Sequence, residues 1–426
     1  MGELIIQNVY LDGSKVNLRI KGNRFTEITQ NDIQAETSSA TTIDGHGGFA
    51  ILPPFYNTHC HAAMTLFRGY ADDLQLFDWL NNHIWPAESK LNPEITYAGI
   101  RLAILEMIKS GTVFFNDMYW CPRHTVRAVT EMGTRACVGV LCNTAENRAF
   151  SGMLNYEWMF DNYKDFSDRI VMAKSPHAIY STTEEQFRIS AEESEKYGIF
   201  LHTHLAETEK EFMDCINSRN MTPVRYLDSC GMLTPKTCLA HSCFLTDNDI
   251  ELLIERDCVI SHCPSSNMKL ASGSFRYDSE RLLQHVRWTL GTDGASSNNS
   301  LSMFQEMKTA SLRAKDTTGN PTCLPAEKVL NAVTRTAAEA FGFDAGVIEV
   351  GKLADCILVD LTNPSLVPGF HLASDIVYSA DASCVDTMIC NGEIIMRNHH
   401  VKHEEEIVEE ARLATKKLLA LVAGEK

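Results

Sequence analysis

Thr58-His59-Cys60-His61 sets two imidazoles one residue apart, and far downstream stand His204-Leu205-Ala206-Glu207, His241 and Asp293. In an extended strand alternate side chains share a face, so His59 and His61 can chelate one metal ion while Cys60 points away. For any one of the 15 His taken alone, a satisfied core role is the commoner outcome. Joined to His204 and Asp293, however, the pair supplies the N and O ligands of a catalytic metal site, which keeps a position for water and lowers its pKa. Glu207 stands three residues after His204, where it can act as an acid beside that water; its competing role is a first-turn carboxylate facing a helix dipole. Asp293 can take a proton from the water as well as bind the ion. His241 follows the apolar run Thr237-Cys238-Leu239-Ala240, placed to polarise the water or to stabilise a tetrahedral oxygen. His202 shares a strand face with His204 and competes with it as ligand.

Residues so far apart in sequence need a scaffold that gathers them. Apolar strands alternate with amphipathic helical stretches: Ala50-Leu52 running into Phe55-His59, then Thr112-Asn116, Arg135-Leu141, Ile170-Lys174, Ile199-His204, Thr237-His241, Val259-His262 and Trp288-Thr292. Eight β-then-α units in about 300 residues predict a (β/α)8 TIM-like barrel, an α/β fold, with the chemical residues at the C-terminal strand ends. A doubly wound open sheet has no reason to place ligands on so many separate strands. The first fifty residues read as hairpins, and Gly351-Leu361 and Thr387-Met396, the latter with an Asn-Gly turn, read as strands again. Both ends therefore predict one small β-sandwich domain. The expected division is 1–52 and 351–401 for its two parts, 53–350 for the barrel and 402–426 for a terminal helix.

Composition narrows the partners. A formal charge of -17 argues against nucleic acid, whose binding needs clustered Lys and Arg, but not against a nucleoside. Fourteen Cys without a C-x-x-C pair suit free thiols in a reducing cytoplasm. No stretch approaches the length of a membrane span, and Gly2 lacks a myristoylation context. The helix-rich exterior of a barrel offers surfaces for a homo-oligomer.

The runs PPFYNTHCHAAMTLFRGYADDLQLFDWL, WPAESKL, HTHLAET, LAHSCFL, SHCPSSNMKLASG, LGTDGASSNNSLSMFQEMKTA and GKLADCILVD resemble the metal-dependent amidohydrolase superfamily over nearly the whole chain. More narrowly they resemble its S-adenosylhomocysteine/methylthioadenosine deaminase branch. The resemblance implies a barrel holding one divalent metal ion on His59, His61, His204 and Asp293, with Glu207 and Asp293 as proton shuttles. It selects His204 over His202, because the family ligand stands three residues before the acidic Glu. His202 is then expected deeper in the barrel, and His262 in a packing role. It also implies that Glu88 of Trp85-Pro86-Ala87-Glu88 grips the ribose hydroxyls and that His177 of Ser175-Pro176-His177 contacts the nucleoside. Relatives that act on adenosylhomocysteine offer Arg just after the third strand. Here that strand runs on as Val138-Gly139-Val140-Leu141-Cys142-Asn143, and Arg148 is the nearest replacement.

The function so predicted is hydrolytic deamination of an adenine nucleoside such as S-adenosylhomocysteine, 5′-methylthioadenosine or adenosine, with Glu207 protonating N1 and ammonia leaving. Zinc is the expected ion, although iron, manganese and nickel suit the same donors. The alternatives are an aminohydrolase of another ring (guanine, pterin, triazine) and a two-metal cyclic amidase in which a carbamylated Lys174 bridges the ions. A scaffold without catalysis has no reason to keep four ligands and an acid. The segment Arg68-Leu91, with Trp79 and Trp85, is a candidate substrate cover.

Overall fold

The computed structural model describes residues 2–142 and 153–424. Eight parallel strands make the central wall: β6 (Phe55–His61), β7 (Thr112–Asp117), β8 (Arg135–Cys142), β9 (Ile170–Pro176), β10 (Phe200–Leu205), β11 (Thr237–His241), β12 (Val259–His262) and β13 (Arg287–Leu290). Two residues past β13, the pair Asp293–Gly294 (β14) runs parallel to Cys60 and His61 of β6 and so returns the last strand to the first. The ring is closed. Side chains sew the same seam: Asn57 Nδ2 donates to Thr292 Oγ1 at 2.7 Å, and the Thr292 N–H donates to Asn57 Oδ1 at 3.0 Å. Every residue of β6, β7, β11 and β12 is buried, as expected of parallel strands covered on both faces.

Helices sheath the wall, and their ends are written locally. Thr183 and Gln186 form a capping box before Glu184–Tyr197, which stops at Gly198 with φ of 68°. Thr208 and Thr246 cap Glu209–Arg219 and Asp247–Glu255, each side chain accepting from the N–H three residues on.

The two chain ends join in one sheet. Its strands are β1 (Glu3–Leu11), β2 (Ser14–Lys21), β3 (Arg24–Thr29), β4 (Thr41–Asp44), β5 (Phe49–Leu52), β15 (Cys356–Asp360), β16 (Val385–Cys390) and β17 (Glu393–Met396). The order is β17-β16-β15-β5-β1-β2-β3, with β4 also on β1. Leu4, Ile6, Leu18, Phe25, Ile51, Cys356, Leu358 and Ile389, from both arms, form a core separate from the barrel's. The predicted run Ala50-Leu52 into Phe55-His59 is two strands and not one: β5 pairs with β15 and β1, and Pro53-Pro54, which lack backbone N–H, divide it from β6. Arg135, at the foot of β8, ties barrel to sheet through two hydrogen bonds to Asp355 at 2.6 and 3.0 Å, with both side chains fully buried.

The terminal helix, Glu404–Ala423, buries Ile407, Ala411, Ala414 and Leu418 against the helix Pro93–Lys109. Three glutamates in its first turn face the dipole favourably. Among the described residues no helix is long and apolar enough to cross a membrane. The 14 cysteines are free thiols, most of them buried.

Candidate active site

The C-terminal ends of β6 and β10 and the first residue of β14 bring His59, His61, His204 and Asp293 together, all buried, with one donor atom of each within 4.8 Å of the others. Asp293 Oδ1 lies 3.2 Å from His59 Nε2 and 3.1 Å from His61 Nε2, and His61 Nε2 lies 3.2 Å from His204 Nε2. Gly291 permits this approach, since a Cβ there would stand 2.7 Å from the Cβ of His59. Asp293 and His241, with φ of 61° and 68°, and Ala206, with φ of 46°, occupy the left-handed region. Such backbone costs about 1–3 kcal/mol per residue and collects where function requires it.

Outer hydrogen bonds fix how the rings are presented. His61 Nδ1 donates to the Met118 carbonyl at 2.6 Å, and His204 Nδ1 donates to the His177 carbonyl at 2.7 Å. A carbonyl only accepts, so each ring carries its proton on Nδ1 and turns the Nε2 lone pair inward. His59 Nδ1 meets His202 Nε2 at 2.8 Å, while His59 Nε2 is buried and makes no hydrogen bond. That orphaned atom among convergent lone pairs and a carboxylate fits a divalent cation. Burial holds His59 down at about 3 and His204 well below the usual imidazole range, so both stay in the neutral, ligating form. Burial also opposes charge on His61, yet Asp293 lifts it to about 9; a cation held on these residues would take the place of that proton. Asp293 would be raised by burial alone, but His59 and His61 hold it well below the carboxylate range. Its Oδ2 accepts from Ser266 Oγ at 2.6 Å and Ser297 Oγ at 2.7 Å.

Glu207 sits beyond the end of β10, and its backbone is clamped: Glu211 accepts from the Ala206 and Glu207 N–H groups at 3.1 and 2.9 Å. Burial raises the Glu207 carboxyl above its ordinary range, which favours the protonated acid. Its Oε1 accepts from Ser272 Oγ at 3.0 Å, and its Oε2 lies 3.8 Å from His241 Nε2. His241 Nδ1 donates to Asn267 Oδ1 at 2.8 Å.

A cavity opens over these groups. Leu76, Trp79, Leu80, Trp85, Met118, Trp120 and Leu141 give it an apolar wall, and Glu88, Tyr119, His177 and Tyr180 add polar points. Leu76–Glu88 runs as a helix with a π turn at Leu80–Ile84, which aims both Trp79 and Trp85 at the cavity. The segment lies within Arg68–Leu91, the stretch for which the sequence offers substrate cover and core packing alike. Glu88 is buried and accepts from Tyr119 Oη at 2.6 Å. The His177 ring lies tilted against that of His204, 4.6 Å between centroids, and meets Ser181 Oγ through Nδ1 at 2.7 Å.

Other expectations sort themselves by geometry. His202 lies beneath His59, and His262 packs on Phe275 with its Nε2 2.6 Å from Tyr277 Oη. Lys174 does not join the cluster: it turns to Glu193 at 2.9 Å and lies over the Tyr156 ring, so it cannot bridge two ions. Arg148 lies outside the described residues. Sequence reasoning missed Tyr119, Ser266, Asn267, Ser272 and Ser297; the run SHCPSSNMKLASG carried three of them only as part of a resemblance.

A closed barrel that focuses three imidazoles, an aspartate held below the carboxylate range and a glutamate raised above it on one point at its C-terminal mouth is built for metal-dependent hydrolysis. The chain belongs to the amidohydrolase family, which matches residues 50–395. It is 42% identical over 414 residues to 5-methylthioadenosine/S-adenosylhomocysteine deaminase 1 of Archaeoglobus fulgidus, covering 94% of this chain and 95% of that one. It is 44% identical over 396 residues to 5′-deoxyadenosine deaminase of Methanothermobacter thermautotrophicus, covering 91% and 90%. Among solved structures, an adenosine deaminase from Xanthomonas campestris with bound zinc superposes with a TM-score of 0.89 at 29% identity, over 98% of both chains.

Proposed function

We propose that this chain is a metal-dependent deaminase of adenine nucleosides, releasing ammonia and leaving the inosine-type product. His59, His61, His204 and Asp293 would hold one divalent ion, with zinc favoured by the imidazole-carboxylate donor set and by the zinc in the Xanthomonas relative. When bound, that ion supplies a water of lowered pKa. The residues of the chain do the rest. Glu207 gives a proton to ring N1 as water adds at the adjacent C6, Asp293 takes the water's proton, and His241 polarises that water or stabilises the tetrahedral oxygen. That proton then leaves with the amino group as ammonia, and the proton of the new C6 hydroxyl returns to Glu207 as the carbonyl forms.

The observation that carries this reading is a second buried carboxylate, Glu88, held by Tyr119 on the same aromatic-walled cavity as Glu207. A nucleoside has both a ring for Glu207 and a diol for Glu88, whereas a free guanine, pterin or triazine has no diol to offer it. Relatives named for adenine nucleosides at 42% and 44% identity support the same choice. Free thiols throughout suit a cytoplasmic setting.

Ammonia release and the ultraviolet change from adenine to hypoxanthine, followed on zinc-loaded protein, test it. Adenosine, 5′-deoxyadenosine, methylthioadenosine and adenosylhomocysteine should turn over, with adenine, guanine and a pterin far behind. Turnover of a free base alone would overturn the nucleoside reading and leave the hydrolase.

A further inference from the structure

One short segment touches all three acid-base groups. The helix Pro264–Lys269 and its exit turn follow β12 and carry Ser266, Asn267 and Ser272, each buried. Ser266 holds Asp293, Asn267 holds His241 and Ser272 holds Glu207, through hydrogen bonds of 2.6, 2.8 and 3.0 Å. The segment is itself immobilised. The Ser272 N–H donates to the Asn267 carbonyl at 3.0 Å, and Ala271 takes a φ of 50°. Gly273 is pressed so closely that a Cβ would stand 2.5 Å from the Phe244 ring. Lys269 Nζ pins the helix to Asp72 at 2.5 Å and to the Ser296 carbonyl at 3.3 Å.

We propose that Ser266, Asn267 and Ser272 form one positioning element for the acid-base groups, and that Ser272 assigns the transferable proton of Glu207 to Oε2. A hydroxyl that donates to Oε1 leaves the other oxygen to carry the proton, and Oε2 is the one that faces His241. On protonation of the ring, the Oε2–H bond breaks as the N1–H bond forms, and the carboxylate left behind keeps the Ser272 hydrogen bond on Oε1. Ser266 and Ser297 together occupy Asp293 Oδ2, which leaves Oδ1 for the histidine cluster. None of the three residues touches the reacting atoms; they act through those that do.

This inference rests on Glu207 as the acid, and the test separates the two. Kinetics of Ser272→Ala, Ser272→Thr, Glu207→Gln and the double variant are compared on zinc-loaded protein, with metal content and melting curves as folding controls. Misplacing the donor should lower kcat of Ser272→Ala about 10²-fold. KM should stay within about twofold, because ground-state binding is untouched. Ser272→Thr, which keeps the hydroxyl, should recover most of the loss. In the Glu207→Gln background, removal of Ser272 should add less than about twofold. The same large factor in both backgrounds, or a change in KM alone, would mean a merely structural role and overturn the proposal. Near-normal kcat in Ser272→Ala, with Glu207→Gln inactive, overturns the positioning alone. Near-normal kcat in Glu207→Gln overturns the acid. Should Ser272→Ala lose metal or melt early, Asn267→Ala tested against His241→Asn replaces it, with the same requirement that the second change add little.

Discussion

Replacing Glu88 by Gln keeps the shape of the side chain and removes its charge. The carboxylate is buried, and the Tyr119 hydroxyl already donates to Oε1 at 2.6 Å, so the amide oxygen of Gln can keep that partner. What changes is the acceptor strength offered to the ribose. A hydrogen bond to a charged acceptor contributes about 1.5–3 kcal/mol and one to a neutral acceptor about 0.5–1.5, a difference of roughly 1 kcal/mol per hydroxyl. Over the two ribose hydroxyls the loss is about 2 kcal/mol, or about 30-fold in kcat/KM. Spectrophotometric deamination of adenosine and of 2′,3′-dideoxyadenosine measures it directly. Adenosine should lose the full factor, whereas the dideoxy substrate, which has no diol, should respond by less than about threefold. Equal losses on both substrates would refute the assignment of Glu88 to the ribose.

Chelation should abolish turnover and zinc should restore it, while zinc at about 100 times its Kd raises the stability of wild type by about 2.7 kcal/mol in urea unfolding but not that of His204→Ala. Asp355→Ala strands the fully buried Arg135 guanidinium and should destabilise by about 3–5 kcal/mol, whereas the double change Arg135→Met with Asp355→Leu should recover most of that loss. Burial pushes the Glu211 carboxyl up to about 7 from an ordinary 4.5, so between those values the folded protein binds the extra proton. The stability it contributes is present below about 4.5 and is lost as pH rises through about 7; Glu211→Gln should flatten that decline in urea midpoints measured across the window.

The barrel strands were readable because parallel strands buried on both faces are short apolar runs, and six of the predicted runs overlap the observed strands nearly residue for residue. The ligands were readable because a metal centre demands imidazoles and a carboxylate at strand ends, and few residue types can serve. His59 and His61 announce themselves by a period of two. Ala50–Leu52 was harder: it reads both as the lead-in to β6 and as the end of the 1–52 arm, and its pairings with β15 and β1 assign it to the other sheet. The supporting polar groups were hidden for a related reason. Tyr119, Asn267 and Ser272 are common residue types in loops, and what singles them out is a contact with a residue 31, 26 or 65 positions away. Lys174 shows the converse, a residue type suited to bridging ions but turned by its strand register toward Glu193.

The small sheet, assembled from both termini, also imposes an order on biogenesis. β5 finds four partners along β15 but only one along β1, so it emerges from the ribosome without its main neighbour. At about 5–20 residues per second, the roughly 300 residues that separate the two strands take about 15–60 s to be made. During that interval an apolar Phe49–Leu52 strand has an open edge, the kind of surface on which nascent chains aggregate. The barrel between them can close on its own in the meantime, because β14 returns to β6 before β15 is translated. Synthesis of the catalytic body therefore precedes completion of the sheet beneath it, and a truncation after residue 350 should leave a barrel whose β5 lacks its main partner and which chaperones engage.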